Sequence, residues 1–158
     1  MPMRGQITVR PDSDTIVDPF FLGDTAGASE IAGWMSGDIQ MSIEEIDGYI
    51  ATFKQFARDK KPGWCFGYGN AHGVFAHESY VYIECEFDDE GRVLLTTDQI
   101  VSALTIYKQI LLDGIQDTSF EVSYLAEDDE AEQRFMQITG VDDLADICAR
   151  GRQAHMDH

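Results

Sequence analysis

The chain has 158 residues, 44% of them hydrophobic and 11% aromatic, which suffices for one packed domain, leaves no room for two ordinary ones and excludes wholesale disorder. With 29 acidic residues against 11 basic ones, the formal net charge is -18 at pH 7. Such a field repels nucleic acid and anionic lipid and speeds encounter with cations or basic proteins, so neither nucleic acid nor membrane is an expected partner, although the same charge would also serve solubility alone.

Three cysteines, Cys65, Cys85 and Cys148, stand at no recurring spacing, which points to reduced thiols in a cytosol rather than to a disulfide framework. The opening segment MPMRGQITVR has no apolar stretch of the export type, and no apolar run approaches the ~18 residues a membrane span needs. A cytoplasmic location is the expectation.

In chain order, Ile7-Thr8-Val9 and Ile16-Val17 are short β-favouring runs beside Pro11 and Pro19, as at sheet edges. From Gly23 to Gly37 the chain is rich in Gly, Ala and Ser. There Ile31, Gly33 and Met35 alternate with Ala32, Trp34 and Ser36, which predicts a strand, with a short helix as the competing reading. Ser42-Ile43-Glu44-Glu45 is a capping-box start for a helix to about Lys60, with Ile46, Tyr49, Ile50, Phe53, Phe56 and Ala57 on one face and a stop at Pro62-Gly63. Trp64 to Phe75 reads as two short strands joined by a glycine-rich loop around Asn70.

The clearest local pattern spans Glu78 to Thr97. Val81, Ile83, Cys85 and Phe87 alternate with Tyr80, Tyr82, Glu84, Glu86 and Asp88, the turn Asp88-Asp89-Glu90-Gly91 follows, and a second strand runs from Arg92 to Thr96. A helix over Asp98 to Asp113 comes next, capped by Thr96 or Thr97 and stopped at Gly114, then a strand around Phe120, Val122 and Tyr124. Short helices around Phe135 and over Asp142 to Arg150 close the pattern. The predicted fold is a single α+β domain over residues 1–150. It has a mainly antiparallel twisted sheet of five or six strands, two main helices on one face, short C-terminal helices and a polar tail at 151–158.

Candidate chemistry is sparse. Cys65, His72, His77 and Cys85 are zinc-type residues, but their C-x6-H-x4-H-x7-C spacing lacks the close pairs of common structural sites, so a buried cysteine beside loop histidines is the plainer reading. Cys65 with His72 or His77 as base lacks the electropositive setting of a reactive thiol. The glycines at 67, 69 and 73 do not make a phosphate loop, and the acidic runs lack EF-hand spacing. No catalytic residue, metal or cofactor is assigned.

There remains the outward row of the hairpin, where tyrosines among carboxylates suit a Lys/Arg-rich protein surface. The expected partner-binding residues are Tyr80, Tyr82, Glu84, Glu86, Asp88 and Asp89, with Glu127, Asp128, Asp129 and Glu130 as a second patch should the fold bring the two together. Through its IECEFDDEG hairpin, its SIEEIDGYIATFKQF helix and its overall charge, the chain resembles in character the bacterial immunity proteins, cognate inhibitors of contact-dependent and other polymorphic toxins. The resemblance implies tight binding to a basic toxin domain, often a nuclease, with acidic residues covering its active site or docking beside it. It carries over no individual residue. Two alternatives stand beside it: a small enzyme or ligand-binding domain using Trp64, Tyr68, His72 and His77, and a structural adaptor or oligomer subunit.

Overall fold

The computed structural model describes residues 2–11, 20–68, 71–85 and 91–147; the Ile16-Val17 run, Asn70, the turn residues Asp88 to Glu90, Cys148 and the tail at 151–158 lie outside these. The elements are β1 (Met3–Arg10), β2 (Phe20–Gly23), α1 (Ala26–Trp34) running into a π-helical turn (Met35–Ile39), α2 (Ile43–Arg58), β3 (Trp64–Tyr68), β4 (His72–His77), β5 (Tyr80–Cys85), β6 (Arg92–Thr96), α3 (Thr97–Asp113), β7 (Thr118–Tyr124), β8 (Ala126–Glu127) and α4 (Asp128–Thr139). A further helical turn covers 144–147.

The α+β expectation holds, and every strand pairing among the described residues is antiparallel. Five strands in the order β3-β4-β5-β6-β8 make the main sheet, and a second sheet of order β2-β1-β7 stands beside it. The chain passes from one to the other at Leu125, whose N–H donates to Leu94 of β6.

The main sheet is covered on both faces, and the period-two alternation sorts its side chains between two cores. Val74, Ala76, Val81, Ile83, Val93 and Leu95 face a first core completed by α1, α2, α3 and the smaller sheet. Phe75, Tyr82 and Leu94 face a second, closed by Ala131 and Phe135 of α4 with Val141, Leu144 and Ile147. The two long helices thus share one face as expected, and the C-terminal helices occupy the other.

Residues 26–34 form the competing helix, not the expected strand. The buried positions Gly27, Ala28, Ile31, Ala32 and Trp34 follow the helical period, and Thr25 caps the start by accepting from the Ala28 N–H at 3.1 Å. Small residues let this helix lie close to the smaller sheet: a Cβ on Gly27 would sit 2.4 Å from the Tyr124 ring. Ser42 caps α2 as predicted, accepting from the Glu45 N–H at 3.1 Å. A full capping box forms at α3, where the Thr96 hydroxyl accepts from the Gln99 N–H and the Gln99 side chain accepts from the Thr96 N–H.

Candidate functional site

Among the described residues, the outward row of the hairpin is not an open row. Tyr82 is fully buried in the second core, its ring stacked on Phe135 with centroids 5.2 Å apart and planes 14° off parallel. Its hydroxyl donates to Glu84 Oε2 at 3.1 Å, and burial, followed by the charge of Glu84, pushes the phenol far above the ordinary tyrosine range. Tyr80 packs half-buried against the same core, and Glu84 is half-buried. The physical reason is α4, which lies across this face and turns the expected solvated surface into an interior. Glu86, Asp88 and Asp89 lie outside the described residues.

The cluster at 127–130 divides in the same way. Glu127 turns inward: its Oε2 accepts from the Gly27 N–H at 2.6 Å and from the Tyr124 hydroxyl at 2.9 Å, so it serves the first turn of α1, where the helix dipole favours an anion. Tyr124, whose hydroxyl also lies 2.7 Å from Thr25 Oγ1, has its pKa pushed up to about 12, chiefly by burial. Asp128 is half-buried, whereas Asp129 and Glu130 are exposed on the first turn of α4. Strand pairing and an ion pair link Glu84 of the first predicted patch to Asp129 of the second through Arg92. Glu84 stands opposite Arg92, whose guanidinium reaches Asp129 at 2.9 Å and Glu132 at 3.1 Å.

On the other face lies a constellation that the sequence reading missed. His72, nearly buried at the start of β4, has Nδ1 2.9 Å from Asp38 Oδ1 and Nε2 3.2 Å from Glu30 Oε1, with both carboxylates equally buried. Asp38 also accepts from the His72 backbone N–H at 3.0 Å and lies 3.3 Å from the Ala71 N–H. Burial disfavours the imidazolium, but the two carboxylates outweigh it and raise the pKa above the ordinary value. Nδ1 is within hydrogen-bond distance of Asp38 and Nε2 within ion-pair distance of Glu30, so the trio ties α1, the π-helical turn and β4 together.

The four zinc-type residues divide across the sheet. Cys85 is the cross-strand partner of His72 on the first-core face, whereas Cys65 pairs with Phe75 and His77 with Tyr80 on the second-core face. They do not converge on one point. The same division separates Trp64 and His72 from His77, and the Tyr68 side chain lies outside the described residues.

A third feature is concave. Ser42, Glu44, Glu45, Gly48, Tyr49 and Thr52 of α2, with Phe66 of β3, line an open groove of about 470 Å³. Among the described residues no helix is long and apolar enough to cross a membrane. No protein-family model, curated protein or solved structure matches the chain.

Proposed function

We propose that the chain is an acidic inhibitor of the immunity type, which binds a basic toxin domain, such as a nuclease, and neutralises it by electrostatically steered occlusion in a bacterial cytoplasm. The observation that carries this reading is the imbalance of surface charge. Glu44, Glu45, Asp98, Glu130, Asp142 and Asp146 are exposed and enter no ion pair among the described residues. Of the patch expected from the sequence, Asp129 and Glu130 are the exposed members to mutate first.

The test is affinity capture from the native cytosol, repeated at rising salt. The expected result is a basic protein whose toxicity the chain suppresses, with an association rate that falls steeply as the Debye length shrinks from ~10 Å at 0.1 M to ~3 Å at 1 M salt. Recovery of no basic protein at low salt, together with a neighbouring gene that encodes no toxin, would sink the proposal.

A further inference from the structure

The groove between α2 and β3 combines three properties. Its aromatic lining comes from Tyr49 and Phe66, which pack on the first core yet stay half-buried, in an edge-to-face pair with centroids 6.5 Å apart. Its rim carries Glu44 and Glu45, exposed and without an ion-pair partner among the described residues, whereas the neighbouring Asp47 is matched to Lys108 at 2.7 Å. Its third property is Gly48.

The helix dipole accounts for carboxylates in the first turn of α2, but it does not account for a glycine inside a 16-residue helix. Gly48 is exposed and helical, and a Cβ built on it would meet nothing within 4 Å among the described residues. Glycine here costs the helix about 1 kcal/mol relative to alanine. No neighbouring atom among the described residues requires that cost, and Gly48 is one of the residues that line the groove. The phenol of Tyr49 is held above its ordinary pKa, first by burial and then by the charges of Glu45 and Asp38.

We infer that this groove is the docking point for an arginine side chain of the basic partner, with the guanidinium against Tyr49 and Phe66, Glu44 and Glu45 as its counter-charges, and Gly48 leaving the floor bare. A planar guanidinium stacks on aromatic rings and pairs bidentately with carboxylates, which a lysine ammonium does not. The inference rests on the inhibitor reading above and names the place and residue type of its contact.

The experiment titrates fluorescein-labelled hexa-arginine, hexa-lysine and a neutral hexa-serine peptide into the full chain, following anisotropy and the amide NMR shifts of residues 42–52. The decisive variant is Gly48→Leu, which fills the groove without changing net charge, with Gly48→Ala as a milder second variant and far-UV circular dichroism and Tm to certify the fold. Glu44→Gln/Glu45→Gln is compared with the charge-matched Asp142→Asn/Asp143→Asn, which lies beyond the opposite face of the sheet.

The expected result is hexa-arginine binding preferred over hexa-lysine, weakened about tenfold by Gly48→Leu at unchanged or raised Tm, and weakened more by the Glu44/Glu45 pair than by the Asp142/Asp143 pair. Equal weakening by both charge pairs with no effect of Gly48→Leu overturns the groove and leaves the acidic-inhibitor reading standing. Equal affinity for hexa-arginine and hexa-lysine overturns the arginine assignment. Hexa-arginine binding no tighter than hexa-serine overturns both readings.

Discussion

Two cations sit among carboxylates on opposite faces of the five-stranded sheet, and the contrast between them separates structural charge from available charge. His72, on the first-core face, and the two carboxylates it contacts are each at most 8% exposed. Arg92, on the second-core face, reaches one carboxylate that is 85% exposed and another that is 31% exposed. A buried carboxylate that loses its cation has no water to turn to, whereas an exposed one is simply resolvated.

The largest expected effect is at His72. His72→Ala leaves Glu30 and Asp38 buried without their cation and should cost about 3–5 kcal/mol, read as a lower urea midpoint with an unchanged slope. Adding Glu30→Gln and Asp38→Asn to that variant should recover a large part of the loss, because no buried charge remains. A single variant costing under about 1 kcal/mol would place the trio in the same class as exposed pairs and dissolve the contrast.

Next in size is Tyr82→Ala, at about 3 kcal/mol for an aromatic side chain removed from a closed core, against the ±0.5 kcal/mol typical of a solvated surface position. Tyr82→Phe keeps the stack on Phe135 and loses only the bond to Glu84, so a cost of about 1 kcal/mol is expected. Thermal or urea unfolding of the pair decides whether this strand face is interior or surface.

The pH dependence sharpens the comparison from another side. Folding raises the pKa of His72, so its contribution to stability is fully present below the unfolded value near ~6.5 and is lost as pH rises through the higher folded value. Wild type should therefore lose stability across that window relative to His72→Gln, which has no such proton to release. Parallel profiles of urea midpoint against pH would remove the charged imidazolium from the account.

What the sequence disclosed and what it withheld follow one line. Period and caps are local, so the first-core positions Val81 and Ile83, the cap at Ser42 and the start of α3 at Thr96 were legible. Tyr80 and Tyr82 read as outward because alternation assigns a polar-tipped residue to the opposite face from valine, and nothing local announces that Phe135 will return to cover it. The glycine- and alanine-rich stretch carries little propensity of its own, and its helix is fixed by close approach to Tyr124, far along the chain.

Reading that stretch as a strand also hid Glu30 and Asp38. On a helix, a lone glutamate within the apolar run from Ala28 to Met35 is the signal that a buried cation must be found for it. The candidate groove was legible in its parts, since Glu44, Glu45, Gly48 and Tyr49 belong to a helix read correctly. Phe66, which closes the groove, arrives from another element.

The smallest expected effect is at Arg92, and it tests whether the second-core face offers carboxylates to a partner at all. Arg92→Ala should cost about 1 kcal/mol or less, because Asp129 is largely in water and Glu132 is partly so. The same substitution frees both groups and raises the negative charge beside Glu130, so a basic partner that docks there should associate faster with Arg92→Ala, and the gain should vanish as salt shortens the Debye length. A partner that docks at the α2 groove instead should show only the small uniform increase of one added negative charge. The rate of association of one variant, measured at two salt concentrations, thereby distinguishes the two faces as docking surfaces even where the equilibrium stability barely moves.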